Sequence, residues 1–185
     1  MKYATLVADP PWPFRWNAAA GGKRARPTPL AYSLMTLDAI KALPVAELAA
    51  ADAHLFLWVT PELYRLGEGV AVARSWGFEP VDEIIWEKPN LGMGAFPRHV
   101  HEPLLIARRG SLAFGGSRSV RSVQRWSQRY VGNGGGKSHS AKPDGALDLI
   151  EQVSPGPYVE LFARRARFGW DYWGDESLGT AELAS

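Results

Sequence analysis

Asp9-Pro10-Pro11-Trp12 follows directly on the apolar run Leu6-Val7-Ala8, and this stretch carries the clearest chemical potential of the chain. A carboxylate ends a short strand, two prolines stiffen the exit, and an indole is held just beyond them. Each proline fixes φ at roughly −65° and lacks an N–H. The Asp9-Pro10 unit therefore offers acceptors only, the Asp9 carboxylate and the backbone carbonyls. Acceptors beside a flat aromatic face suit a planar group with N–H donors. The exocyclic amine of a nucleobase is such a group, and base-modifying enzymes commonly read bases by edge hydrogen bonds and stacking. An Asp-Pro pair alone marks a strand-ending turn whose tryptophan packs on the core. The full string at a strand end favours the chemical reading.

Basic residues gather in three stretches that lack a regular core pattern. Arg15, Lys23, Arg24 and Arg26 lie in a Gly/Ala/Pro-rich loop. Lys88 and Arg98, with His99 and His101, surround Gly92-Met93-Gly94. The third stretch runs from Arg108 and Arg109 through Arg118, Arg121, Arg125 and Arg129 to Lys137. Phe14, Trp16, Phe96, Trp126 and Tyr130 are interleaved, a mixture that suits phosphate contact and base stacking. Any one stretch reads as a solvated loop; three around one acidic-aromatic motif read as a nucleic-acid face. Gly132 to Ser138 imitates a phosphate-binding loop, but Val131 stands where its first glycine belongs and no helix follows directly. His99 and His101 have no third ligand at metal-binding spacing, and His54 within an apolar strand reads as a core histidine with a backbone partner.

The elements that must position these residues alternate between strand and helix. Tyr3 to Ala8 and Ala53 to Val59 read as buried strands. Thr60-Pro61-Glu62 gives an N-cap, a first-position proline and an early acid, predicting one helix to about Trp76 with Gly77 as its stop. Strands are predicted at Asp82 to Trp86, Glu102 to Ala107 and Tyr158 to Phe162, and a helix from Pro143-Asp144 with Leu147, Ile150 and Val153 on one face. Gly110 to Ser140 reads as a long loop. Trp58, Trp76 and Trp86 read as core, Glu83 as a strand-surface or ion-pair group, and Trp170 and Trp173 as packing beneath the C-terminal turn. The alternation predicts an α/β fold, a doubly wound, mostly parallel sheet.

The 185 residues are expected to form one domain over 1–185, with 177–185 as a frayed tail. The hydrophobic content of 46% excludes disorder of the whole chain. With no cysteine, disulfides and cysteine-bound zinc are excluded. The first residues read as strand and not as a signal peptide, and no apolar run is long enough to span a membrane. A cytoplasmic protein without membrane contact is expected. The formal charge of only +2 makes the placement of charge more telling than its sum.

Asp9-Pro10-Pro11-Trp12, Tyr32-Ser33-Leu34-Met35 and Leu55-Phe56-Leu57-Trp58-Val59-Thr60 resemble the methyltransferase-A seventy-kilodalton subunit family of adenine-N6 methyltransferases. Val81 to Lys88, Glu102 with Gly110, Lys142-Pro143-Asp144 and Glu160-Leu161-Phe162 continue the pattern in order, from about Leu6 to Glu176. The resemblance implies a Rossmann-like fold with permuted motif order and transfer of a methyl group from S-adenosylmethionine to the amino group of adenine, leaving S-adenosylhomocysteine. It implies a nucleic-acid partner, DNA before RNA because the chain looks like the compact bacterial or phage form. An RNA methyltransferase or a non-catalytic nucleic-acid-binding subunit of the same fold is the alternative. Monomer and homodimer both stay open.

By the same resemblance, Asp9 and the Pro10 carbonyl accept from the adenine amino group. Pro11 completes the rigid catalytic string, Trp12 stacks near the flipped base and Tyr32 closes over it. Glu102 and Lys142 line the adenine and cofactor pocket. From the basic stretches, and not from the resemblance, Lys88, Arg98, Arg118, Arg121 and Arg125 are expected to face the nucleic acid. Ala8, Asp9, Lys142, Glu160, Leu161, Phe162, Arg164 and Asp175 are expected around the cofactor. Arg165-Ala166-Arg167 follows Arg164 where eukaryotic relatives carry His-Asn, and Asp175 replaces their usual asparagine.

Such residues fit the chemistry. An aromatic amine is a poor nucleophile because its lone pair is delocalised into the ring. Acceptors at both N–H positions favour a more pyramidal nitrogen and localise that pair. Alignment with the methyl donor adds a proximity gain of at most roughly 7–11 kcal/mol. The sulfonium is already activated, so the protein positions and desolvates. No metal is expected, and the proton released goes to Asp9 or to water.

Overall fold

Tyr3–Ala8 forms strand β1, and its continuous apolar run has a simple cause: both faces of the strand are covered. The computed structural model describes residues 1–13, 34–91, 97–116, 119–127, 141–163 and 166–173. The predicted positions Tyr32, Arg118, Arg164 and Asp175, and the tail 177–185, lie outside the described residues.

After β1 come α1 (Leu37–Lys41), α2 (Val45–Leu48), β2 (Ala49–Trp58), α3 (Pro61–Arg65), α4 (Glu68–Ser75), β3 (Glu79–Glu87) and β4 (His101–Arg109). β5 (Val123–Gln124), α5 (Asp144–Val153), β6 (Tyr158–Leu161) and β7 (Trp170–Trp173) complete the chain. The strands form one seven-stranded sheet in the order β5-β3-β4-β2-β1-β6-β7. Four of its six pairings are parallel; β4 is antiparallel to both β2 and β3. The fold is the expected α/β arrangement, with a mixed sheet.

Strand alternation sends Leu6, Leu55, Leu57 and Val159 to one face, where Ile40, Val45, Leu63, Val72 and Trp76 from α1–α4 cover them. Val7, Phe56, Trp58, Ile84, Trp86 and Leu104 point the other way, onto Ala146, Leu147 and Ile150 of α5. The three predicted core tryptophans are buried as read. Burying an aromatic ring removes about 150–250 Å² from water, a gross gain of roughly 4–6 kcal/mol each. His54 is fully buried, its ring bonded to Ser154 Oγ at 2.7 Å and to the Leu112 carbonyl at 3.0 Å.

Three predicted elements differ from the structure. The single helix from Pro61 to Trp76 is two, because Gly67 adopts φ +75°, a left-handed conformation that reorients the chain between α3 and α4. The stop at Gly77 is as expected: its N–H donates to the Arg74 carbonyl and that of Phe78 to the Ala73 carbonyl, a Schellman closure. The long loop after β4 contributes β5, a two-residue edge pairing with β3. Trp170 and Trp173 belong to a strand, β7, that extends the sheet beyond β6.

α4 lies close on the sheet because Gly69 faces Val59; an added Cβ would stand 2.7 Å from Val59 Cγ2. Gly69→Ala should therefore destabilise by up to about 2 kcal/mol, since overpacking at roughly 1–3 kcal/mol outweighs the helix-propensity gain of about 1 kcal/mol. Together with Val59→Ala, its cost in urea denaturation should be smaller than the sum of the two. A Gly69→Ala midpoint above wild type would show that helix and strand can separate freely.

Candidate active site

β1 is the strand from which the sheet order departs in both directions, with β2 on one side and β6 on the other. Open α/β sheets bind ligands beyond the carboxyl ends of strands at such a switch point. Asp9 leaves β1 at that end, its N–H donating to the Leu161 carbonyl at 3.4 Å. The residues after it are tied one by one. Trp12 N–H donates to the Pro10 carbonyl at 2.8 Å, and Met35 N–H to the Pro11 carbonyl at 3.0 Å. The Trp12 indole N–H donates to the Trp58 carbonyl at 2.8 Å, and the ring is only 5% exposed within the α1–α4 core.

These contacts revise two expectations. The Pro10 carbonyl is already an acceptor for Trp12, which leaves one of its two lone-pair directions for an incoming donor. Trp12 is a locked wall of the site and offers little open face for stacking. Its hydrogen bond and burial hold the exit of β1 against the end of β2.

Asp9 begins an alternating chain of charge. Lys142, just before α5, places its Nζ 2.8 Å from Asp9 Oδ2 and 3.0 Å from Glu102 Oε1. Lys88, just after β3, places its Nζ 2.5 Å from Glu102 Oε2. Each ammonium also lies over an indole, Lys142 at 5.6 Å from the Trp58 centroid and Lys88 at 5.1 Å from that of Trp86. The two indoles meet edge to face at 6.0 Å. Burial opposes the charge of Lys142, but Asp9 and Glu102 more than offset it and raise its pKa. Burial opposes ionisation of Glu102 in the same way, and the two lysines reverse that, lowering its pKa. Lys142 is therefore ion-paired to both Asp9 and Glu102, which aims the Asp9 side chain.

Glu160 sits on β6 opposite Val7 of β1 and Tyr172 of β7. Paired residues of neighbouring strands share a face, and Asp9, two residues past Val7, returns to it. Burial first, and then the Asp9 charge, push the Glu160 carboxyl from its ordinary 4.5 up to about 7, with smaller opposing contributions from Arg167 and Lys142. Ala8 and Leu161 pair across the same seam and are fully buried. Phe162 turns the chain out of β6 at φ +62° and packs its ring edge-on to Trp173 at 5.2 Å.

The predicted nucleic-acid residues divide. Lys88 is held by Glu102, and Arg125 Nε donates to Glu87 Oε2 at 2.8 Å on the surface. Arg98 and Arg121 are exposed. Trp126 is a positioning residue that sequence reasoning treated only as an interleaved aromatic. Its carbonyl accepts from the Trp86 indole at 3.0 Å, and its ring fills the space where a Gly145 Cβ would stand 2.4 Å from Trp126 Cδ1. A glycine in the first turn of a helix was the available signal, since alanine is otherwise favoured there. Glu83, read as a surface or ion-pair group, has one oxygen buried without a hydrogen-bond partner. Among the described residues, no cluster of three or more His, Cys, Asp or Glu could hold a metal ion.

The MT-A70 family model matches residues 3–176. The chain belongs to the MT-A70 family. It is 28% identical to the Type II methyltransferase M.MunI of Mycoplasma sp over 190 residues, covering 95% of this chain and 78% of that one. It is 31% identical to the human N(6)-adenosine-methyltransferase catalytic subunit METTL3 over 172 residues, 88% of this chain and 26% of that one. It is 32% identical to the N6-methyladenosine RNA methyltransferase MTA1 of Pyricularia oryzae over 201 residues, all of this chain and 49% of that one. The chain thus spans most of one relative and half or less of the other two. Membership makes it an adenine-N6 methyltransferase and implies S-adenosylmethionine as methyl donor. The site's acceptors fit that cationic, hydroxyl-bearing molecule: the Asp9 and Glu160 carboxyls stand at the ends of adjacent strands.

Two outcomes follow from this MT-A70 site. Lys142→Met should destabilise by about 3–5 kcal/mol, because Asp9 and Glu102 lose their shared cation, and adding Glu102→Gln should restore part of that loss in urea denaturation. An unaffected midpoint would show that the ion pairs are dispensable to folding. Glu160 binds its proton more tightly folded than unfolded, so its contribution to stability declines as pH rises from about 4.5 through about 7. Glu160→Gln should leave stability unchanged at pH 4 and increase it at pH 8, on the order of 1–3 kcal/mol after discounting for solvent contact. Equal thermal shifts at both pH values would show that its carboxyl has ordinary acidity.

Proposed function

We propose that this protein methylates the exocyclic amino group of adenine in nucleic acid, with DNA favoured over RNA. The observation that carries this reading is Asp9: a carboxylate at the switch point of the sheet, ion-paired to Lys142 at 2.8 Å within an Asp-Pro-Pro-Trp string. DNA is favoured because the chain matches most of the length of the Type II methyltransferase M.MunI, against about half of the RNA methyltransferase MTA1.

In this mechanism Asp9 accepts one amine N–H, and the remaining lone pair of the Pro10 carbonyl accepts the other. Both acceptors favour a pyramidal nitrogen whose lone pair can attack. Lys142, itself held by Glu102, fixes which Asp9 oxygen faces inward. Trp12, Trp58 and Trp86 keep the walls rigid and exclude water. Asp9 and Glu160 form the acidic side of the cofactor pocket, with Leu161 and Phe162 shaping its edge. S-adenosylmethionine, when bound, supplies the activated methyl group. Asp9, ion-paired to Lys142, orients the amine, and the proton that the amine loses passes to water.

The deciding experiment is methyl transfer from labelled cofactor to matched DNA and RNA oligonucleotides, with product nucleosides identified by mass spectrometry. N6-methyladenine in DNA is expected; label in RNA alone would reverse the substrate preference, and label in neither would oppose catalysis. Asp9→Asn, which can present N–H to the amine, should lower turnover at least about a hundredfold while sparing cofactor affinity. For the surface, Arg121→Ala should flatten the log–log salt dependence of oligonucleotide binding by about 0.7–0.9. Arg125→Ala should change it less, because Glu87 already neutralises that guanidinium. Slopes identical to wild type would remove these arginines from the interface.

A further inference from the structure

Glu160 is the acidic group of the site whose charge the described residues leave unanswered. Lys142 spans Asp9 and Glu102, and Lys88 takes the second Glu102 oxygen. Arg167, packed against α5, also acts on Glu160, but its guanidinium is bound at 2.7–2.9 Å by Asp148 and Glu151. From β1 the neighbouring charge is Asp9, of the same sign, and from β7 the register partner is Tyr172, a neutral phenol. Arg164 and Arg165 follow in the chain outside the described residues. The Glu160 carboxyl receives no hydrogen bond among the described residues. Counted over Asp9, Glu102, Glu160, Lys88 and Lys142, full ionisation gives three negative charges against two positive. The surplus falls on Glu160.

We infer that Glu160 exchanges its proton against the charge of the bound ligand, releasing it to solvent when a sulfonium enters the site and regaining one when methyl transfer leaves a neutral thioether. The inference rests on the reading that this site takes S-adenosylmethionine. Its chemistry balances. On transfer the sulfur–methyl bond breaks with its electron pair staying on sulfur, the nitrogen–methyl bond forms, and the amine nitrogen loses one proton. That one proton equals the one Glu160 regains. The sulfonium and thioether forms of the cofactor differ by a single charge, so a half-buried carboxyl with no fixed counter-ion among the described residues distinguishes substrate from product by that charge alone.

Calorimetry of the full chain tests this without turnover. S-adenosylmethionine and S-adenosylhomocysteine are titrated at pH 6.5 in phosphate and in imidazole, whose ionisation enthalpies differ. With the carboxyl near pH 7 in its acidity, sulfonium binding should release about 0.5–0.8 proton, read from the buffer dependence of the heat. The thioether should release far less. Glu160→Gln should lose that buffer dependence and bind S-adenosylmethionine roughly tenfold more weakly, with S-adenosylhomocysteine within about twofold. The ligand ammonium is common to both proteins, so the difference between them isolates Glu160. Sulfonium binding with buffer-independent heat in the wild type, or the same proton release in Glu160→Gln, overturns the exchange and leaves the methyltransferase reading standing. Absence of any S-adenosylmethionine binding by the wild type counts against that reading itself. The wild-type comparison stands alone if the variant does not fold.

Discussion

The ammonium of Lys142, buried between Asp9 and Glu102, is the contact on which the rest of the site depends. It joins three parts of the fold that share no local sequence: the exit of β1, the start of β4 and the approach to α5. A buried cation of this kind is tolerated only when its counter-charges and hydrogen bonds are in place. Its position is therefore fixed by β1 and β4, and it fixes α5 in return. The indole of Trp58 below it and the Trp126 ring against Gly145 close the remaining freedom of the helix start.

The mixed sheet makes this meeting possible. β4 runs against its neighbours β2 and β3, so its beginning, Glu102, stands at the edge where β1, β2 and β3 end. A parallel strand in that place would have brought its carboxyl end there instead and carried Glu102 to the far side. The same geometry puts Lys88, at the exit of β3, against the second Glu102 oxygen. One reversed strand thus builds an ion-paired chain at an edge that a purely parallel sheet would furnish only with loop residues.

What the sequence disclosed follows from how many residues report a feature. Leu6 to Ala8 of β1 and Leu55 to Trp58 of β2 stand out because burial on both faces makes successive positions apolar. The Asp-Pro-Pro-Trp string announces its chemistry because its members are adjacent. The partnership of Lys142 with Asp9 does not, because 133 residues separate them and neither end encodes the other. The break at Gly67 was hidden because a glycine inside a helical pattern carries no sign of its φ. β7 was hidden because Trp170-Asp171-Tyr172-Trp173 is a short edge strand whose aromatics read equally well as core or turn. Trp12 shows the converse. Its type advertises a stacking surface, yet its indole N–H and ring are already committed to the core, which no local pattern could report.

The charge arrangement also separates grip from chemistry. A free lysine deep in a cleft would attract phosphate, the most abundant anion on the proposed substrate, into the place meant for a base. Here both site lysines are neutralised by Glu102 and Asp9, so the interior offers no net attraction to a phosphate. What it presents instead is acceptors, the Asp9 carboxylate and the open side of the Pro10 carbonyl, which a neutral base with N–H donors can satisfy and a phosphate cannot. Attraction for the polyanion is left to exposed arginines such as Arg98 and Arg121 at the surface, where desolvation costs little and salt screens the contact. Neutralising the buried cations is thus a condition of selectivity as well as of folding: the ion pairs that stabilise Lys142 are the same ones that keep the backbone of the nucleic acid out of the pocket.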